Sequence, residues 1–428
     1  MRVCLGSAGA FIVFPLILYI LLHDCHAVVL RNPAFNIWGD IFGNKAEEPL
    51  RSPVILVPGV GGSRLQAKLN KPNTVSLFCA KQTKDYIDLW LNVDLLLPYA
   101  LECWVDNMKL HYNNVSRRSE NAPGVDVRVY GFGSSLAVEY VSKDLYPYAR
   151  YFKDVADMLV SQGYERDISI RAAPYDFRLA PDEQTEYYKA LKKLVEETHT
   201  RNQNTPVTFI AHSLGNLHTL YFLQQQTPEW TAKHVKGFVS IAAPWAGAIR
   251  SIKAVTSGDN LNEDIVDSLM VRAEERTNPS ATFLFPNREF WPDSYVVLQR
   301  PGKQYTVGRI DQLIDDINDR SVWDMYGRTK GLLKLQPPSI PMFCLYGTGV
   351  PTPASLYYER DDQFPDLTPK EVLGQGDGSV NDISLEVCGQ WAKKHPERVR
   401  VTRFPGVGHK EILADQAALA HILDVLNQ

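Results

Sequence analysis

The 428-residue chain is predicted to be an α/β protein, a mostly parallel sheet with helices on both faces. Three observations predict it. Short β-branched or apolar runs, each ended by Gly, Pro or a small residue, recur with helical spacing between them, and strands that alternate with helices pair in parallel. One such run, Val207 to Ile210, passes through Ala211-His212-Ser213-Leu214-Gly215 straight into a helical pattern. Hydrophobic residues at 45% and charged residues at 22% supply enough apolar area to outweigh chain entropy, and exclude disorder, collagen and coiled coil.

Charge and length narrow the class. With 45 Lys plus Arg against 49 Asp plus Glu the formal net charge is -4, which argues against a dedicated nucleic-acid binder. The length admits roughly two or three domains. No repeat, low-complexity tract or Gly/Ser or Pro linker divides it, so one core with insertions is expected, as a monomer.

Residues 1–27 stand apart. Arg2 supplies a positive start, Ala8 to Leu22 is apolar throughout, and Cys25-His26-Ala27 ends on a small residue. This is the pattern of a cleaved secretory signal peptide, with a retained signal anchor as the alternative, and it is short for a membrane span. The remainder, 28–428, is expected to be lumenal or secreted. Cleavage leaves Cys79, Cys103, Cys344 and Cys388, and four cysteines in an oxidising compartment suggest two disulfides. Pairing Cys79 with Cys103 and Cys344 with Cys388 closes the shortest loops; two other pairings, or buried free thiols, are the alternatives. No Cys/His cluster has metal-ligand spacing. Asn114-Val115-Ser116 is a usable glycosylation sequon and marks a surface loop, whereas Pro279 blocks Asn278-Pro279-Ser280.

In chain order, Val54 to Val57 reads as the first buried strand. The glycine-rich Pro58-Gly59-Val60-Gly61-Gly62 behind it lacks the Lys-Ser/Thr ending of a phosphate loop. It is expected to aim the Val60 N–H at an oxyanion, paired with the Leu214 N–H. Tyr151, Val155 and Leu159 recur at fours before Gly163, a helix and its stop. Ser213 follows the strand Val207 to Ile210 on a Gly-x-Ser-x-Gly-like turn whose first small residue is Ala211. Such a turn exposes a nucleophile at the head of a helix, where the dipole favours a developing oxyanion. A plain serine N-cap is the competing reading; the strand before and the helix after argue against it. Phe238 to Ala242, Phe343 to Tyr346 and Val399 to Thr402 read as later strands, and Leu413, Ala417, Ala420 and Leu423 as one face of a final helix.

A serine nucleophile needs a base, and in this class of fold the order is Ser, then Asp or Glu, then His. His218 and His421 fall within helical patterns, His234 follows too soon, and His395 sits in a charged run. His409 ends the glycine-rich Phe404-Pro405-Gly406-Val407-Gly408-His409 just before the last helix, where a loop can swing its ring over the serine. His212, adjacent to Ser213, reads as structural. Asp377, in Gly374-Gln375-Gly376-Asp377-Gly378, is the expected acid, holding the imidazole tautomer. An Asp-Gly turn is its bland alternative.

Val57-Pro58-Gly59, Leu65-Gln66-Ala67-Lys68-Leu69, Leu89-Trp90-Leu91-Asn92, Gly124-Val125-Asp126-Val127-Arg128, Ala173-Pro174-Tyr175-Asp176-Phe177-Arg178, Ala243-Pro244-Trp245 and Leu345-Tyr346-Gly347-Thr348-Gly349-Val350-Pro351-Thr352-Pro353 occur in that order. With the turn at Ser213 they resemble the lysosomal phospholipase A2 and lecithin:cholesterol acyltransferase family, a branch of the α/β-hydrolases, from about Pro53 to the C-terminus. The fuller match of Leu345 to Pro353 looks like the lysosomal branch. The resemblance implies a triad of Ser213, Asp377 and His409, the two sequence-local disulfides, and no cofactor. It implies calcium-independent transfer of an acyl chain from a glycerophospholipid through Ser213 to water or a lipid alcohol, ceramide in lysosomal members and cholesterol in plasma ones. The lysosomal lumen is the expected compartment, the extracellular space the alternative. The sequence departs from the pattern at Val60, where lysosomal relatives carry Asp and plasma relatives Cys.

Two insertions are expected to carry the lipid-specific parts. The first, about 70–150, is rich in aromatic and leucine residues between Asp85 and Trp104; Trp90 and Leu91 are the expected contacts with a phospholipid bilayer. The second, about 249–291, is polar and poorly periodic and reads as a lid.

Overall fold

Alternate residues of a strand face opposite sides, so a strand covered on both faces must be apolar throughout. Val54–Val57 (β1) follows this rule. Ile55 and Val57 join one apolar cluster with Phe209, Ala211 and Phe238, while Val54 and Leu56 join a second with Ile210, Val239 and Ile241. Ile170–Ala172 (β2) gives Ile170 and Ala172 to the second cluster, and the same two clusters flank Val207–His212 (β3), Val235–Ile241 (β4), Met342–Thr348 (β5) and Val399–Pro405 (β6). These six strands form one sheet in the order β2-β1-β3-β4-β5-β6, parallel at every pairing. A computed structural model describes residues 51–97, 100–146, 148–259 and 267–428; the expected signal peptide lies outside them.

Helices Thr185–Arg201 and Leu214–Gln224 cover one face through Leu191, Leu194, Leu217 and Leu220. Lys153–Ser161 and Gln416–Leu426 cover the other through Val155, Leu159, Leu419 and Ile422. The expected α/β layering is therefore what the chain adopts. One strand is not read from the sequence, and one helix face needs correction. β2 escapes periodicity because Arg171 stands between Ile170 and Ala172 in a strand of three residues. The last helix buries Ala418, Leu419, Ile422, Val425 and Leu426, not the expected face: Leu413 belongs to a separate 3-10 turn, so it sets the wrong phase, and Ala417 and Ala420 face solvent.

The insertion between β1 and β2 holds an antiparallel sheet of Ile87–Trp90, Leu65–Leu69 and Val125–Val129. A disulfide from Cys79 to Cys103 ties its loop to helix Leu101–Met108, and Asn114 lies exposed on the turn of the hairpin Leu110–Asn113 with Arg118–Asn121. A second disulfide joins Cys344 in β5 to Cys388 in helix Val387–Lys394. In the stretch 249–291 the described residues form helices Ile249–Thr256, Ser268–Glu275 and Pro279–Phe283. Ile249, Ile252, Val255, Val271, Phe285 and Trp291 join the main core, so the described part of the expected lid is built into the body of the protein.

Helix Ser268–Glu275 also carries a titratable group into the interior. Glu274 accepts a hydrogen bond from Asn278 Nδ2 at 2.8 Å. Burial pushes its carboxyl up to about 7, despite that bond and the Arg178 guanidinium, with Asp176 adding to the rise. The folded chain thus keeps a proton that the unfolded chain, whose glutamates titrate near about 4.3, has already released. Stability must fall as pH rises through that window and level off above it, by roughly 3 kcal/mol in all. Glu274→Gln is expected to flatten most of this loss in melting temperature measured from about pH 4.5 to 7.5. Glu275, raised for the same reason of burial, should leave a residual slope; a slope unchanged by Glu274→Gln would contradict the assignment.

Candidate active site

β3 delivers Ser213 to a turn that few residues tolerate. Its φ of 53° and ψ of -130° lie outside the ordinary regions for a side-chain-bearing residue, a strain of about 1–3 kcal/mol. Backbone bonds hold it there: Ser213 N–H donates to the Ile241 carbonyl at 2.9 Å, and Asn216 Nδ2 bridges the Ser213 and Ile241 carbonyls at 2.9 Å each. Crowding explains the small residues around it. A Cβ on Gly215 would lie 2.4 Å from the Pro58 carbonyl oxygen, and one on Gly59 would lie 2.6 Å from Ser213 Cβ. The loop after β1 is thereby pressed against the Ser213 turn. Val60 sits at its crest, 49% exposed, and Leu214 opens an 11-residue helix. The two backbone segments expected to form the oxyanion hole therefore meet at Ser213.

His409 Nε2 lies 3.0 Å from Ser213 Oγ, and His409 Nδ1 lies 2.7 Å from Asp377 Oδ2. Asp377 follows strand Lys370–Gly376, which pairs antiparallel with Val350–Tyr357 in an excursion from the end of β5. It is fully buried. Burial alone would push its carboxyl up, but His409 and the amides of Val380 and Ser379 outweigh that and hold it below the usual carboxylate range. An ionised Asp377 requires the hydrogen on His409 Nδ1, so Nε2 presents its lone pair to Ser213 Oγ. The loop is pinned by His409 N–H donating to the Asp377 carbonyl at 2.7 Å and Gly406 N–H to the Thr348 carbonyl at 2.7 Å.

The other histidines are engaged elsewhere. His218 Nδ1 meets Tyr188 Oη at 2.7 Å, His234 Nδ1 the Trp230 carbonyl at 2.9 Å, and His421 Nε2 Thr402 Oγ1 at 2.9 Å. Trp90, expected at a lipid surface, is instead half-buried: its indole N–H donates to the Gly61 carbonyl at 2.7 Å, and its ring packs on Trp104 and Phe177. The Leu91 side chain is half-buried beside it. A tryptophan with one polar handle suits a wet interface, but here the handle is used inside the protein. Among the exposed apolar residues of this insertion are the consecutive Leu77 and Phe78, 101% and 88% exposed, just before Cys79. Two consecutive apolar residues at the edge of a disulfide loop were the signal in the sequence.

Residues 86–334 and 330–421 match the sequence profile of the lecithin:cholesterol acyltransferase family. The chain belongs to that family. A Canis lupus familiaris protein named lysosomal phospholipase A and acyltransferase is 41% identical over 377 residues, covering 88% of this chain and 91% of the relative. The Homo sapiens protein of that name is 40% identical over 375 residues, 87% and 90% of the two chains. A Gallus gallus phosphatidylcholine-sterol acyltransferase is 39% identical over 369 residues, 86% and 88%. The α/β-hydrolase fold accounts for the position of each residue: Ser213 follows β3, Asp377 lies in the excursion after β5, and His409 follows β6.

Proposed function

We propose that this member of the family is a serine phospholipase A and lipid O-acyltransferase. The observation that carries the reading is the hydrogen-bonded line from buried Asp377 through His409 to Ser213 at the head of a helix. Ser213 Oγ attacks the ester carbonyl of a glycerophospholipid as His409 Nε2 takes its proton. The N–H groups of Val60 and Leu214 receive the developing negative charge. His409 returns the proton to the leaving oxygen, freeing lysophospholipid and leaving the acyl chain on Ser213. Water or a lipid alcohol such as ceramide then attacks, with His409 again the base, and gives a fatty acid or a new ester. Valine at position 60 preserves the backbone donor.

The substrate lies in a bilayer, and the protein meets that surface at Leu77 and Phe78, apolar side chains exposed among the described residues. Relatives named for the lysosome and for sterol acyl transfer support a secretory-pathway protein. Within that pathway the relatives named for the lysosome favour its lumen, and buried Glu274 and half-buried Glu275, their carboxyls both raised by burial, are compatible with an acidic compartment.

Phosphatidylcholine vesicles carrying either ceramide or cholesterol, followed by lipid mass spectrometry, test the reading. Free fatty acid, lysophospholipid and acylated ceramide are expected. Sterol ester in place of acylceramide would favour the sterol-acylating relatives, and cleavage of short soluble esters without cleavage of vesicle lipid would reduce the protein to a general esterase. In the same assay Leu77→Ser with Phe78→Ser should lower vesicle turnover about tenfold, the scale of about 1.4 kcal/mol and a fraction of the roughly 3–6 kcal/mol that two fully buried large side chains contribute, while soluble-ester turnover holds. Equal loss of both would remove the bilayer contact.

A further inference from the structure

Tyr151 and His212 take no part in the steps above, yet a chain of hydrogen bonds runs through them from the loop after β1 to His409. Gly59 N–H donates to Tyr151 Oη at 2.9 Å, Tyr151 Oη lies 2.5 Å from His212 Nδ1, and His212 Nε2 lies 2.9 Å from the His409 carbonyl oxygen. The two ends set its direction. A backbone N–H only donates and a carbonyl only accepts, so His212 carries its hydrogen on Nε2, leaves Nδ1 as an acceptor, and receives the Tyr151 hydroxyl hydrogen. Each donor has one acceptor and none is left over.

The surroundings keep that pattern in one state. Both side chains are buried. Burial, and then the neighbouring His409, push the His212 imidazole down to about 3, and burial pushes the Tyr151 hydroxyl up. A protonated His212 would present a second donor to Tyr151 and leave the hydroxyl hydrogen without an acceptor. The chain therefore holds its direction across the acid and neutral range.

We infer that Tyr151 and His212 are positioning residues for the acyl-transfer reaction, holding the Gly59–Val60 segment and the His409 backbone in fixed relation across Ser213. The inference rests on the Ser213 acyl-enzyme reading and adds to it the device that aligns its parts. Gly59, the anchored amide, is one residue from the N–H assigned to the oxyanion, and the anchored carbonyl belongs to the residue that takes the serine proton. Trp90 holds the same loop from its far end through Gly61. A displacement of about 1 Å in such parts costs on the order of a hundredfold in rate, whereas no atom of Tyr151 or His212 needs to touch the substrate.

Tyr151→Phe keeps the ring and removes the hydroxyl. On a short soluble ester its kcat is expected to fall about tenfold to a hundredfold with KM held within about twofold. Inactivation by a p-nitrophenyl phosphonate, whose phosphoryl oxygen occupies the oxyanion position, should slow in parallel. His212→Asn retains an acceptor where Nδ1 stood and should recover part of what His212→Phe loses; no difference between these two variants overturns the Tyr151 link. A kcat for Tyr151→Phe within about twofold of the parent, or a loss matched by a reduced folded fraction with phosphonate reactivity per folded molecule unchanged, makes the chain merely structural and overturns the inference. Ser213→Ala serves as the control. Turnover retained by Ser213→Ala overturns the acyl-enzyme reading itself, while an inactive Ser213→Ala beside a normal Tyr151→Phe overturns the positioning role alone.

Discussion

Ser213→Ala is expected to lose phospholipid hydrolysis and acyl transfer together, a fall in kcat on the order of 10⁶. Alanine offers no oxygen for the covalent intermediate, so both reactions lose their shared first step. What survives is the rate supplied by binding and by the Val60 and Leu214 amides. The fold should be untouched, because the strained turn is held by backbone and Asn216 bonds rather than by Oγ, whose hydrogen bond runs to His409. Release of fatty acid from vesicles, set beside melting temperature and vesicle cosedimentation, gives the answer. A well-folded variant retaining more than about a hundredth of parental turnover would end the mechanism proposed here.

Asp377→Asn is expected to cost about 10⁴ in kcat, the scale of losing the correct histidine tautomer. The local hydrogen bonds dictate how the new amide must sit. Asp377 Oδ1 accepts the Ser379 and Val380 amides at 3.0 and 2.7 Å, so an asparagine must place its carbonyl oxygen there. Its NH2 group then faces His409 Nδ1, which becomes an acceptor. The ring hydrogen moves to Nε2 and points at Ser213 Oγ, where a lone pair is needed. Ground-state binding should persist, so KM should change little while kcat collapses, and a kcat within about tenfold of the parent would show that Asp377 does not orient His409.

Much of this site was legible in one dimension, and the reason is local. The turn at Ser213 needs small residues at fixed offsets because the neighbouring loop passes within contact distance, so crowding between distant segments is written into five consecutive residues. The order Ser213, Asp377, His409 follows from strands laid side by side in a parallel sheet, and apolar runs such as Val54–Val57 mark strands covered on both faces. For the disulfides, loop closure favoured near partners but left other pairings open; the resemblance to the family implied the pairing that the structure shows.

Other features depend on which surfaces the folded chain brings together. Trp90 has the composition of a membrane anchor, and only the approach of Gly61 turns its indole N–H inward. Leu77 and Phe78 are exposed because none of the described residues covers that edge of the disulfide loop. Glu274 looks like any helical glutamate until burial, against the opposing pull of Arg178, keeps its proton on. Tyr151 and His212, 61 residues apart in sequence, read as the first residue of a helical repeat and a structural histidine; their shared hydrogen bond forms where the start of helix Lys153–Ser161 meets the end of β3. Patterns of period two or 3.6 and crowded turns can be read along the chain, since each depends on adjacent residues. Partners for buried polar groups come from remote segments, and no local pattern encodes them.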